Sequence, residues 1–143
     1  MKKVFADTNI MLDYLEDRRF TENSKLIFKM AKDGKFQMCA SLLSFVNIAY
    51  IRRKHTVDEI YNNLLALRQL FVVLPIDSAQ LDSALTQKAK DFEDSIQFQC
   101  AKAAGCDVIV TNNVNDFKEL QGLDVMSSED FLLDFFAEEI VDN

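Results

Sequence analysis

The chain is poor in the residues that punctuate tight turns: its 143 positions hold one proline and three glycines. An all-β protein needs such residues at most of its hairpins, so that class is disfavoured and helix should dominate. Histidine occurs once, as His55, and cysteine three times, as Cys39, Cys100 and Cys106, with no Cys-x-x-Cys pair. A zinc centre of Cys and His ligands is therefore poorly supplied, and so is a disulfide framework. No apolar run approaches the ~18 residues of a membrane span, and no charged-then-apolar leader opens the sequence. These absences predict a cytoplasmic protein with reduced thiols and no membrane association. Positive charge is also scarce, with 16 Lys and Arg against 23 Asp and Glu for a net charge of −7. That balance lacks the basic footprint of a generic nucleic-acid binder. It does not exclude an enzyme that meets phosphates through a bound cation.

What is present is an ordinary globular mix, 49% hydrophobic and 27% charged, long enough to bury a self-sufficient core. Without repeats, low-complexity tracts or Gly/Ser linkers, residues 1–143 read as one domain. Short apolar runs alternate with helical text. Lys3–Ala6 reads as a strand that stops at Asp7, and Ile10, Met11, Tyr14 and Leu15 follow at helical spacing. Thr21 or Asn23 is positioned to cap a second helix, which Gly34 closes. Phe36–Ala40 reads as a second strand, followed by a helix from Ser41 to about Lys54.

Thr56 and Glu59 form a capping box opening a further helix to Leu70. Phe71–Leu74 reads as a fully buried strand ended by Pro75. Asp77 caps a helix through about Lys90, and Glu93–Ala104 forms the next, closed by Gly105. Asp107–Thr111 is the clearest strand. Val125-Met126 is the last, before a helix over Phe131–Ala137 capped by Ser127 or Ser128. Strands separated by helices imply right-handed βαβ units. The fold class is therefore α/β, a three-layer α/β/α sandwich around a mostly parallel sheet of four to five strands.

In such sheets the reacting groups gather beyond the carboxyl ends of the strands. Asp7 ends the first strand, and Thr111-Asn112-Asn113-Val114-Asn115-Asp116 follows a late one, so those two loops should face each other. Each feature also has a plain structural explanation. Asp7 is well placed to cap a helix, a role compatible with metal binding because it needs only one carboxylate oxygen. Glu93 and Asp94, with Asp91 nearby, can complement a positive helix end. The Asn-rich run can be a polar turn. Their combination carries more. Two carboxylates ~4 Å apart repel by ~4 kcal/mol at an effective dielectric near ~20, so gathering Asp7, Asp94 and Asp116 in one cleft calls for a cation or a proton among them. Hard oxygen ligands suit Mg²⁺ or Mn²⁺.

At this point the sequence resembles the PIN domain family, in particular the small ribonucleases of the VapC toxin type. The resemblance is carried by Val4-Phe5-Ala6-Asp7-Thr8-Asn9-Ile10, Ser41-Leu42-Leu43-Ser44-Phe45, Glu93-Asp94-Ser95-Ile96-Gln97, Ala101 through Asp107, and Val110 through Phe117. Each motif is short; their order over nearly the whole chain is the specific signal. The resemblance implies a divalent-metal-dependent endoribonuclease, the toxin of a toxin–antitoxin pair, with an antitoxin protein as partner and a homodimeric assembly. Catalytic and metal-binding roles then fall on Asp7, Asp94 and Asp116, with Asn113 at a position where some relatives place the last carboxylate.

Where the resemblance implies glutamate on the third helix, this chain has Asn47. Its carbonyl can still coordinate or hold a metal-bound water, but a full negative charge is lost, and replacing it with Glu is expected to raise metal affinity. Asn47 can equally be a buried amide paired to backbone. Thr8, Asn9, Ser44, Glu93, Thr111, Asn112 and Asn113 are expected to support the site, orienting Asp7 or metal-bound waters. Arg52, Arg53 and Lys54 are candidate RNA contacts, although cations at a helix C-terminus are also favoured by its dipole. Phe131, Phe135 and Phe136 read as core, or as a surface for a partner. Two further readings compete with the nuclease. One is a weak or inactive module of the same family that binds RNA or protein, favoured by Asn47. The other is a phosphoacceptor or phosphatase domain, for which Asp7 lacks an Asp-x-Asp pair and a suitably placed lysine.

Overall fold

The computed structural model describes residues 1–142. Five strands, β1 (Lys3–Ala6), β2 (Gln37–Ser41), β3 (Val72–Leu74), β4 (Val108–Val110) and β5 (Asp124–Met126), form one sheet in the order β3-β2-β1-β4-β5. Every pairing is parallel. The connections carry α1 (Thr8–Leu15), α2 (Thr21–Lys32), α3 (Leu42–Ile51), α4 (Val57–Leu70), α5 (Ser78–Gln87) and α6 (Phe92–Ala103). A 3-10 turn, Val114–Phe117, precedes β5, and α7 (Ser128–Asp142) follows it.

The three inner strands are apolar on both faces, and strand alternation sends their side chains to two cores. Val4, Ala6, Met38, Ala40, Val108 and Val110 pack with α1, α2, α4 and α7 on one side. Phe5, Cys39 and Ile109 pack with α6 and the 3-10 turn on the other, and α5 lies against α6. The sandwich is therefore three-layered, as the alternating text implies. Phe36 anchors α7 by edge-on contacts with Phe131 and Phe135, at 5.2 and 5.6 Å between ring centroids. Phe131 is thus core, whereas Phe136 is 42% exposed.

Several boundaries differ from the sequence expectations, each for a local reason. Neither Thr21 nor Asn23 caps α2. The Thr21 hydroxyl donates to the Glu16 carbonyl and accepts from the Arg18 N–H, while the Asn23 amide reaches Ser128. The third helix ends at Ile51 rather than Lys54, with Arg52 as its C-cap. Helix α5 stops at Gln87 because Lys88 turns left-handed, at φ 54°. Gly34 and Gly105 close α2 and α6 with φ 83° and 72°, a conformation that favours glycine. The Thr56/Glu59 capping box is formed, and the Ser127 hydroxyl accepts from the Asp130 N–H at the start of α7.

Strand β3 is not fully buried. It is the sheet's edge, and Val72 is 42% exposed. A wholly apolar Val-Val-Leu run cannot by itself distinguish an edge from a centre.

The difference is measurable by urea denaturation. Ile109→Ala, in the middle of β4, is expected to cost about 2–5 kcal/mol. Val72→Ala, on the edge, is expected to cost less than about 1 kcal/mol, and equal losses would contradict this placement.

Candidate active site

Strand order 3-2-1-4-5 places the topological switch between β1 and β4, where the chain departs in opposite directions. The two strands are tied just beyond their ends: the Asp7 N–H donates to the Val110 carbonyl at 3.0 Å. Asp7 leaves β1 in extended conformation and caps α1. Its carboxylate accepts from the Thr8 N–H at 2.8 Å and from the Thr111 hydroxyl at 2.9 Å. One side chain therefore holds the β1 and β4 loops together while only 4% exposed. The capping and functional readings of Asp7 are compatible, as the sequence suggests.

Burial dominates the charge state of Asp7 and outweighs both hydrogen bonds. With the charges of Glu93 and Asp116 added, it pushes the carboxyl up to about 6. Asp94, half-buried on the first turn of α6, is pushed up to about 7 by burial and then by Asp7, Asp91, Asp116 and Glu93. Glu93 is raised as well, by burial and by Asp91. Every charge acting on Asp7 and Asp94 is acidic; no lysine or arginine among the described residues offsets them. The cleft thus gathers Asp7, Glu93, Asp94 and Asp116 from three separate segments with no internal counterion.

Capping does not account for Glu93 and Asp94. Asp91 takes that role, its carboxylate accepting from the Asp94 N–H at 3.0 Å. Asp116 lies on the exposed 3-10 turn, and Asn113, also exposed, precedes it and donates its backbone N–H to the Thr111 hydroxyl. Asn47 is neither a buried amide nor bonded to backbone. It is half-buried, and its amide donates to the Glu93 carboxylate at 2.8 Å. Asn9, half-buried, sits beside Thr8 on the first turn of α1.

A buried polar network lies behind the carboxylates. Thr8 and Ser44 share a 2.8 Å hydroxyl contact, and the Gln97 amide donates to Ser44 at 3.0 Å and to Thr8 at 3.4 Å. The Gln97 carbonyl accepts from the Ser41 hydroxyl at 2.6 Å. All four side chains are buried, so each needs its partners. They lock the starts of α1 and α3 to α6, one turn from Asp94. Ser41 and Gln97 are absent from the candidate residues read off the sequence; a glutamine within a helix reads as surface. Asn112 belongs to a second network. It donates to Asp13, and its carbonyl accepts from the Ser128 N–H and hydroxyl. It braces the β4 loop against α1 and α7.

Arg52 is buried, with its guanidinium on Glu16 at 3.2 Å. It ties the end of α3 to the end of α1 and is not offered to solvent. Arg53 stays exposed, stacked 4.2 Å from the Tyr50 ring, and Lys54 is exposed beside it. A cavity of about 610 Å³ lies between α2 and α4, lined by Phe28, Lys29 and Leu70 among others, and none of the carboxylates lines it.

The donor set fits a hard divalent cation in its chemistry: oxygens only, in mutual repulsion, without a counter-charge. Among the described residues no three His, Cys, Asp or Glu side chains converge closely enough to hold an ion directly. Mg²⁺ commonly uses one or two carboxylates and keeps several waters, so the set remains suitable.

An α/β protein that collects uncompensated carboxylates at the switch point of a parallel sheet is the class these features define. The chain belongs to the PIN domain family, whose sequence profile matches residues 3–115. It is 23% identical over 136 residues to Ribonuclease VapC1 of Aquifex aeolicus (strain VF5), covering 91% of this chain and 93% of that protein. Among solved structures, VapBC2 from Rickettsia felis bound to a DNA fragment from its promoter superposes with a TM-score of 0.68 at 17% identity, over 87% of this chain and 98% of that one. DNA-bound VapBC from Salmonella typhimurium gives 0.66 at 19%, over 90% and 99%. These likenesses show the fold. No helix among the described residues is long and apolar enough to cross a membrane.

The raised carboxyls set a pH dependence. The folded chain holds protons on Asp7 and Asp94 that the unfolded chain releases from pH 3.8 upward, and it sheds them only near pH 6 and 7. Stability without added metal should therefore be greatest at the acid end of that window and fall as pH rises through it. Thermal melts across the window check this; Asp94→Asn should flatten the slope, and a profile rising with pH would contradict it.

Proposed function

We propose that this chain is a divalent-metal-dependent endoribonuclease of the VapC toxin type, hydrolysing RNA phosphodiesters. The observation that carries the reading is the uncompensated acidity of Asp7 and Asp94 at the switch point, with Asp116 and Glu93 around them. Family membership and the ribonuclease relative support it.

In this reading Asp7, Asp94 and Asp116 hold Mg²⁺ or Mn²⁺, in part through the waters such an ion retains, with Asn47 beside them. The bound cation supplies a water of lowered pKa and screens charge growing on the phosphate oxygens. Asp7 is oriented for this by the Thr8 N–H and the Thr111 hydroxyl, which fix one carboxylate oxygen each. Gln97, Ser44 and Thr8 hold α6 against α1, so that Asp94 stays opposite Asp7 despite their repulsion. Arg53 and Lys54 are the exposed cations of the α3 end that can meet RNA phosphates beyond the cleft. An antitoxin protein as partner, self-association into a homodimer and a cytoplasmic setting belong to the same reading. A structural neighbour solved as a toxin–antitoxin complex from Klebsiella pneumoniae, with a TM-score of 0.64 at 21% identity, supports the first of these.

Purified protein is expected to cleave RNA in the presence of Mg²⁺ or Mn²⁺, to stop on addition of EDTA, and to lose activity in Asp7→Ala and Asp94→Ala. Gel assays on mixed RNA substrates read this directly. Intact RNA at saturating Mn²⁺, with RNA binding retained, would instead favour a non-catalytic module, the reading that Asn47 favours.

A further inference from the structure

Asn47 and Glu93 face each other, one on α3 and one on the first turn of α6. The Asn47 amide nitrogen donates to a Glu93 carboxylate oxygen at 2.8 Å. Glu93 has no capping duty, because Asp91 caps α6. A glutamate at an exposed helix start has solvent to satisfy it and needs no partner from another helix. This one is held by a neutral amide, turned toward α3, where its charge bears on both Asp7 and Asp94. An amide is the partner that fixes a carboxylate's direction without neutralising it; a lysine or arginine there would cancel the charge.

We propose that Glu93 is a metal-binding carboxylate of this cleft, aimed by the Asn47 amide, so that α6 contributes two adjacent acids and α3 contributes a neutral clamp. This rests on the divalent-cation reading above and deepens it. It also reverses the sequence expectation for Asn47→Glu. A carboxylate at position 47 would stand against Glu93 and repel it, so the single replacement should not raise metal affinity.

Calorimetric titration of Mn²⁺ into the full chain, with melting temperatures taken before and after loading, tests the assignment. Wild type, Asp94→Asn, Glu93→Gln, Asn47→Glu and the double variant Asn47→Glu/Glu93→Gln are compared. Binding by wild type that is lost in Asp94→Asn establishes the site. Glu93→Gln is then expected to weaken Mn²⁺ about tenfold or more, with a metal-free melting temperature no lower than that of wild type reporting an intact fold. The double variant returns one carboxylate to the same pair from the α3 side and should recover most of the lost affinity. Asn47→Glu alone should lower the metal-free melting temperature and bind no tighter than wild type. Glu93→Gln binding as tightly as wild type overturns the proposal and leaves the cation reading intact. Failure of wild type to bind Mn²⁺ overturns both, and a double variant no better than Glu93→Gln overturns the exchange of roles between the two positions.

Discussion

A carboxylate buried at the end of a central strand must be stabilised from somewhere, and in this chain the stabilisation of Asp7 organises the whole carboxyl end of the sheet. Its two hydrogen bonds come from different segments, the start of α1 and the end of β4. They do not offset its burial, and the carboxyl remains raised. Had a lysine or arginine filled the cleft, Asp7 would be an ordinary internal ion pair. Instead, further acids approach it from α6 and from the 3-10 turn. The arrangement is costly on its own and would become favourable with a cation, which is how a binding site differs physically from a stabilising contact.

Two polar networks keep that arrangement from relaxing. Repulsion between Asp7 and Asp94 would be relieved most easily by α6 sliding away from α1. Gln97 prevents this, because moving it would take from the buried Ser41 hydroxyl its acceptor and from the Thr8–Ser44 pair the amide that joins it to α6; each such loss costs about 1–3 kcal/mol. On the other side, Asn112 fixes the loop carrying Asp116, using Asp13 and Ser128 as anchors. Asp13 is itself buried and paired with Arg18 at 3.6 Å. Repulsion among the acids is thus resisted by hydrogen bonds of amides and hydroxyls, with the Asp13–Arg18 pair behind one of them.

How much of this was legible in the sequence follows from which signals are local. The acids Asp7, Asp94 and Asp116 stand at strand and helix ends, where chain position alone assigns them to one end of a parallel sheet. The Thr56/Glu59 box and the glycines at 34 and 105 are likewise local, and their elements form as read. Partnership across elements is not local. Gln97 looks like any polar helical residue until α1 and α3 close over it, and Asp13 looks like the solvent side of an amphipathic turn. Arg52 reads as part of a basic run with Arg53 and Lys54, yet it folds inward to Glu16 because α3 ends one residue before it. The edge position of β3 depends on strand order, which a run of three apolar residues does not encode.

The net charge of −7 constrains how such a site can meet a polyanion. Long-range steering favours a basic surface, and this one repels phosphate at a distance. Within a Debye length of about 10 Å at ~0.1 M salt, however, local charge outweighs the total. A cation in the cleft would convert its most negative region into the one that attracts phosphate. Arg53, stacked on Tyr50, and Lys54 remain exposed at the far end of α3, the helix that also carries Asn47. On this view nucleic-acid contact is conditional on the metal. The same acids that repel phosphate would, with a cation among them, recruit it, and the neutral Asn47 would leave the charge of Glu93 available for that switch.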